Sequence, residues 1–471
     1  MTSAAENDAN ARASGPPRRQ PLRPLSSRSV TPNPAEAEVD LRRVAALWWP
    51  LAASWVLMAM EPNIVIAAVS RLAESKTHLG AWSSVVFPVS LVVEGPIIMM
   101  LAASTRLSSD WDRYRRVMRY GSVLGLGLTA LHALIAFTPL YWWVAEDVMG
   151  SKAEVAAAGR LGLQLMLPWT FAIGYRRTCQ GTLIRFERSK TVSQGTALRL
   201  LVTGSVLVLL VKTRWLSGTA TAALGVSSGV TAEAFYAGWK VREVHPLLKR
   251  AERDEQLTLG AFARFYGPLA VTPLITLLIQ PIGSAAMNRM PRSLDSVAAW
   301  GPVHGLTFIA RSVGMAFNEV VVTLVALGGG AAALKRFGLL LGAGTSAVVG
   351  LMWATPLAEV WFGIAQSIPA DIVPLARLGV GLSVIMPAYQ VAQSWYQGLL
   401  VHAKSTRPIT EAVLLYFTVA GLLLHLGTSQ AATWSMPGIV WALLSFVTAG
   451  ICQTTWLWLR SRGAAADVET R

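Results

Sequence analysis

The sequence predicts an all-α polytopic membrane protein of twelve transmembrane helices in two repeated six-helix lobes. Composition is the first reason: 53% of the 471 residues are hydrophobic, 14% are charged, and the mean hydropathy is +0.46. The second is a set of twelve apolar runs near the ~20 residues that a helix needs to cross a bilayer. They lie at about 44–70, 81–104, 117–140, 156–184, 191–211, 218–240, 260–287, 299–326, 336–356, 372–400, 408–427 and 437–460. The third is an internal repeat. Shifting the chain by 218 places Pro50-Leu51-Ala52 on Pro268-Leu269-Ala270, Ala67-Ala68 on Ala285-Ala286, Arg71 on Arg289 and Ala81-Trp82 on Ala299-Trp300. A shift of 217 continues it, with Thr138-Pro139-Leu140 on Thr355-Pro356-Leu357, Arg160-Leu161-Gly162 on Arg377-Leu378-Gly379, and Gln180-Gly181 on Gln397-Gly398. The two copies run in the same direction.

Residues 1–42 are rich in Ala, Pro, Ser and Arg and cannot bury enough apolar surface to fold, so a disordered tail is expected. No apolar core of a cleavable signal lies near the start; the first span would direct insertion. That span carries Glu61-Pro62-Asn63 in its outer half, and the second carries Glu94-Gly95-Pro96 near its centre. A proline removes a backbone donor and kinks a helix, and a carboxylate in hydrocarbon costs a few kcal/mol unless it is paired, protonated or wet. Two such placements in consecutive spans point to a water-lined pathway. The bland reading is a pair of structural hydrogen bonds.

The Ser108-to-Arg116 stretch reads as a helix start anchored by arginines at the cytoplasmic face. His132 in span 3 reads as a packed histidine. Span 4 carries Arg176 and Arg177, about 100° apart on a helix, so the two point differently. Arg199 lies ~12 Å into span 5 by the helical rise from Thr191, and span 6 carries Glu233. Residues 241–258 mix charges at helical spacing and form the boundary, a solvated surface helix. In the second copy, span 7 replaces Glu61-Pro62 with Gln280-Pro281, keeping the kink and losing the charge. Span 8 holds His304, Arg311, Asn318 and Glu319. The expected organisation is thus a tail at 1–42, lobes at 43–240 and 259–460 joined by a cytoplasmic linker at 241–258, and a tail at 461–471.

A net charge of +15 would suggest nucleic acid for a soluble chain, but here its placement decides. Of the 41 Lys and Arg, 28 fall on the side of the N-terminus and 7 on the other, and six arginines lie within spans. The positive-inside rule puts both termini in the cytoplasm, in a bacterial inner membrane, and no nucleic-acid partner is expected. Cys179 and Cys452 both fall in spans, and the six histidines are scattered, so no metal cluster or disulfide framework is expected. No phosphate-cradling G-x-x-x-x-G-K-[ST], H-E-x-x-H or G-x-S-x-G occurs, which leaves an enzyme reading without a motif.

Two parallel six-span copies related by an axis along the membrane normal are a transporter architecture, with a site at their interface near the midplane. Span 4 ends in Gln180-Gly181-x-Leu183 with a basic turn, and Gln397-Gly398-Leu399-Leu400 with Lys404-Ser405 copies it. With Thr138-Pro139-Leu140 and its mate, this resembles the multidrug/oligosaccharidyl-lipid/polysaccharide (MOP) exporter superfamily and its MATE-like members, over about residues 44–460. Glu94-Gly95-Pro96 followed by a basic loop is similar to the progressive-ankylosis-protein branch. The resemblance implies two six-helix lobes that alternate between inward- and outward-open states, with no resident cofactor. It also implies an embedded acidic residue that binds H⁺ or Na⁺ as coupling ion. Glu61 beside Pro62 fits that role, with Asn63, Glu94 and Glu233 as its neighbours; Pro62, Pro96, Gln280 and Pro281 mark the bends.

The in-span arginines depart from the pattern of cationic-drug exporters. An unpaired Arg199 or Arg311, with Arg177 and Asn318, would attract an anion. Alternatively Glu94, Glu233 and Glu319 neutralise the arginines internally. The leading expectation is a monomeric secondary transporter exporting an organic or phosphorylated anion. The competing ones are a flippase for a lipid-linked saccharide, cationic multidrug efflux, and a non-transporting membrane scaffold.

Overall fold

The computed structural model describes residues 39–327, 330–431, 433 and 435–469. The basic stretch from Ser14 to Arg28, and all but the end of the expected 1–42 tail, lie outside them. Twelve long helical stretches account for most of the described chain, numbered here α1 to α12. They are α1 (Leu41–Ser70), α2 (Ser75–Leu107), α3 (Trp111–Phe137), α4 (Ala153–Leu165 continuing as Leu167–Arg185), α5 (Ser189–Thr213) and α6 (Gly218–Lys240). Then follow α7 (Leu259–Asn288), α8 (Ser293–Leu324), α9 (Gly330–Ala354), α10 (Val373–His402), α11 (Arg407–Ser429) and α12 (Gly438–Glu469). Ten are long and apolar enough to cross a membrane, and the chain is an integral multi-pass membrane protein. The other two are α4, broken at Met166 and carrying Arg176 and Arg177, and α6, rich in Gly, Ser and Thr; most residues of Leu167–Arg185 and of α6 are buried by other helices.

Local chemistry sets the ends. Asp40 caps α1, its Oδ1 accepting from the Arg43 amide at 2.8 Å. Asp110 caps α3 by accepting from the amides of Asp112 and Arg113 at 2.9 and 3.1 Å, so orphan donors of the first turn are satisfied. The expected linker helix is short, His245–Arg250, and is preceded by a 3₁₀ turn at Val241–Val244. Val241, Val244 and Leu248 are buried, so apolar contacts, not solvated charge, hold this segment. The expected tail after residue 460 is helical for most of its length, since α12 runs on to Glu469.

The repeat is written in the backbone. One-turn π-helical segments occur at Trp143–Val148 and Val360–Ala365, 217 residues apart. Left-handed residues recur at Glu74 and Arg292 (φ 49° and 54°), at Glu187 and Lys404 (φ 60° and 55°), and at Gly150 and Ser367 (φ 66° and 55°). The two copies interlock: α1 packs on α5 and α6 of its own copy and on α8 of the other, and α7 packs on α11 and α12 of its own and on α2 of the other.

The Gln-Gly pair has a packing reason. A Cβ on Gly181 would lie 2.8 Å from Ser104 Cβ and 2.9 Å from the Thr105 amide nitrogen, so only glycine lets α4 approach α2 this closely. Gly398 holds the matching place, where a Cβ would meet Val321 Cβ of α8 at 2.7 Å. Gly181→Ala is expected to destabilise by about 1–3 kcal/mol through overpacking. Gly127→Ala, where a Cβ meets nothing within 4 Å, should be neutral or slightly stabilising. Thermal midpoints of the purified proteins check the pair; equal midpoints would show that the helices move apart freely.

Candidate functional site

Two chemically different regions meet near the middle of α1, α2, α7 and α8. The first is a charge cluster within the first copy. Glu233 of α6 is completely buried, and Arg176 of α4 is 4% exposed. Glu233 accepts from Arg176, from Gln180 Nε2 at 3.0 Å and from Thr196 Oγ1 at 3.4 Å. Arg199 of α5 bridges two carboxylates, with Nη2 3.1 Å from Glu61 Oε2 and Nη1 3.7 Å from Glu233 Oε2. Thr203 Oγ1 lies 3.4 Å from Glu61. Glu94 of α2 is 4% exposed and makes no ion pair within 4.0 Å among the described residues; its Oε2 has no hydrogen-bond partner. The cations acting on it are Arg177 and Arg176. Three glutamates thus face three arginines, and the set is formally neutral. A buried charge persists most readily when paired and hydrogen-bonded, which is what α4, α5 and α6 supply for Glu233, Arg176 and Arg199.

The second region is a cavity of about 270 Å³ between the two copies. Glu61, Pro62, Trp82, Ser83 and Phe87 wall it on one side, and Gln280, Trp300, His304 and Phe308 on the other. Trp82 and Ser83 belong to a π-helical segment, Trp82–Val86, the kind of bulge that re-aims side chains at functional places. A smaller chamber of about 50 Å³ adjoins it, sharing Gln280, Trp300, His304 and Phe308 and adding Arg311, Tyr389 and Tyr416. Arg311 donates from Nε and Nη2 to Gln390 Oε1 at 3.3 and 2.8 Å. Among the described residues no carboxylate lies within 4.0 Å of it. Gln280 Nε2 and His304 Nε2 are 3.3 Å apart across α7 and α8.

The structure sorts the residues that the sequence singled out. Glu61, Glu94, Glu233 and Arg177 do come together, and Arg311 stands apart on the chamber wall. Arg199 is a correction: it is no free cation for substrate, because Glu61 and Glu233 occupy it. Asn63 is not brought to the carboxylates either. Its Nδ2 donates to Ala59 O at 3.0 Å and its Oδ1 accepts from Gln366 Nε2 at 2.9 Å, so it ties α1 to the loop before α10. Asn318 donates to Ser394 O at 3.1 Å and serves the α8–α10 contact. Glu319 is exposed and neutralises none of the arginines. Pro62 and Pro281 lie inside uninterrupted helices, whereas α2 breaks into a 3₁₀ turn at Gly95–Ile97 around Pro96. Gln280 does more than accompany a proline, since it lines both spaces. His132 is packed as expected, between Thr170 Oγ1 at 2.7 Å and Leu163 O at 2.9 Å. Sequence reasoning missed Gln180 as a charge partner; its place one turn after Arg176 was the available signal.

No family model matches the chain, and no curated protein does. Solved structures do. An inward-facing multidrug resistance MATE family transporter of the MOP superfamily is 12% identical, with a TM-score of 0.67 over 90% of this chain and 99% of that one. The lipid II flippase MurJ, in an inward closed conformation, is 12% identical, with a TM-score of 0.67 over 89% of each chain. A MOP superfamily transporter from Pyrococcus furiosus, described by a binding pocket of reverse polarity, is also 12% identical, with a TM-score of 0.56 over 92% and 98%. The chain has the fold of MOP-superfamily transporters.

Proposed function

We propose that the chain is a secondary transporter that exports an organic or phosphorylated anion by alternating access, coupled to H⁺ or Na⁺. One observation carries the reading: Arg311 lines the inner chamber with no carboxylate within 4.0 Å among the described residues, while the charged cluster across the cavity is formally neutral. A cation in a narrow, largely enclosed chamber is less screened than one in open water, so the space favours an anion. The same feature speaks against cationic multidrug efflux, because Glu61, the carboxylate on the cavity wall, is held by Arg199. In this reading the protein has twelve spans in two six-helix lobes, 43–240 and 259–460, with a linker at 241–258 and both termini in the cytoplasm of a bacterial inner membrane. It works as a monomer and performs no catalysis. Arg311→Gln in proteoliposomes is expected to cut anion transport at least tenfold with the fold intact. Unchanged anion transport in that variant would overturn the proposal.

The coupling ion enters through the glutamates. Glu61 and Glu233 are ion-paired, so Glu94, beside the α2 break and without a contacting cation, is the member free to change its proton. Tyr266 Oη of α7 donates to Pro96 O at 2.5 Å, which ties that break to the second copy. Glu94→Gln is expected to flatten the dependence of transport on an imposed pH gradient. A gradient dependence equal to wild type would return the role to Glu61, or to Na⁺.

A second reading is a flippase for a lipid-linked saccharide. It rests on a largely apolar groove of about 570 Å³ between α4 and α6, walled by Leu165, Pro168, Leu224 and Phe235, where an acyl chain fits. Transport of a water-soluble anion by the reconstituted protein decides for the first reading.

A further inference from the structure

Resting on the anion-export reading, we propose that the substrate is an aryl anion: a flat aromatic ring in the inter-copy cavity, with its carboxylate or phosphate on Arg311. Aromatic side chains line the cavity on both sides. Trp300, His304 and Phe308 recur every fourth residue along one face of α8, with centroids 5.5 and 6.2 Å apart and interplanar angles of 36° and 7°. Phe446 adds a ring 5.5 Å from Trp300. Across the space, Trp82 and Phe87 of α2 form a second pair, with centroids 5.5 Å apart and planes 31° apart. The α8 ladder lines both the cavity and the chamber, so it leads from the one to Arg311 in the other. A dry apolar cavity of about 150 Å³ holds benzene, so about 270 Å³ admits one or two fused rings.

Gln390 sets the guanidinium. Its Oε1 takes Nε and Nη2, and no hydrogen bond from Nη1 to a described residue is made. A planar fork with free donors suits a carboxylate or phosphate. Gln280 and His304, 3.3 Å apart, leave a polar edge beside the ladder for a ring substituent. An aliphatic anion of the same size fills the volume but gives up the stacking that ring faces offer to another ring.

The test compares 2-naphthoate with decahydro-2-naphthoate, equal in charge and similar in size but saturated, by scintillation-proximity binding to the purified full-length protein. The wild type is expected to bind 2-naphthoate at least tenfold more tightly, a comparison that needs no variant to fold. Trp300→Leu with Phe308→Leu should weaken 2-naphthoate more than decahydro-2-naphthoate and bring that ratio near one. Arg311→Gln should weaken both anions at least tenfold. Equal affinities in the wild type overturn the aryl inference and leave anion export standing. Binding of neither anion, or binding of both unchanged by Arg311→Gln, overturns the aryl inference and counts against anion export as well.

Discussion

Glu233→Gln is expected to give the largest loss of stability of any single substitution in the first copy. The carboxylate is fully buried and serves Arg176, Gln180, Thr196 and, at 3.7 Å, Arg199. Removing its charge leaves a cluster of three arginines and two glutamates away from water. Breaking a buried pair on one side costs about 3–5 kcal/mol, because the surviving charge is uncompensated. The Arg176 Nε already lacks a hydrogen-bond partner, so that guanidinium has no alternative acceptor in place. The yield of monodisperse protein and the thermal midpoint in detergent measure the effect. The double change Glu233→Leu with Arg176→Met removes both charges and should recover much of the loss, a non-additivity that reports direct coupling. A midpoint for Glu233→Gln equal to wild type would show that the cluster is wet and the pair marginal.

That cluster also shows how far the sequence speaks. In-span Glu and Arg stand out against an apolar background, so Glu61, Glu94, Arg176, Arg177, Arg199, Glu233 and Arg311 were all visible as polar exceptions. Their pairing was not. Arg199 meets Glu61 from 138 residues away along the chain, and nothing local says which arginine keeps its carboxylate and which is left alone. Glu319, eight residues after Arg311, looks like a partner in one dimension but lies on the exposed side of α8. The ladder of Trp300, His304 and Phe308 has the spacing of any core-facing helical stripe, and only the facing cavity gives it meaning. The repeat was legible from identities such as Pro50 with Pro268. The matching π-helical turns and left-handed residues were not, because backbone conformation there is fixed by packing and hydrogen bonds. Hydropathy likewise found the helices but weighted α4 and α6 as ordinary spans, although their polar residues face other helices.

Removing Arg71 and Arg289 together is expected to open the end of the molecule where α1 and α7 terminate. Each arginine follows the last residue of its helix and folds back on it, Arg71 Nη1 donating to Ala67 O at 2.6 Å and Arg289 Nη1 to Ala285 O at 2.9 Å. Each then crosses to the other copy. Arg71 Nη2 donates to Ala365 O at 2.9 Å, and Arg289 Nη2 to Val148 O at 2.9 Å and Asp147 O at 2.5 Å. Those acceptors close the two matching π-helical turns, where carbonyls lack helical partners and attract a cation. Lys76 adds a bridge to Asp295 and Asp371 at 2.5 and 2.6 Å. In the proposed alternating-access cycle all of these ties would have to break. Both arginines are exposed, so each tie contributes about 1 kcal/mol, and the pair about 2 kcal/mol, or roughly thirtyfold in the open-to-closed ratio. With Cys179 and Cys452 replaced, a cysteine at Ser83 on the cavity wall reports access to an impermeant thiol reagent added on the Arg71 side. Arg71→Ala with Arg289→Ala should raise its labelling rate at least tenfold, and each single change should give about half the effect on a logarithmic scale. A rate unmoved by the double change would mean that the arginines only cap their helices and other contacts hold this end shut.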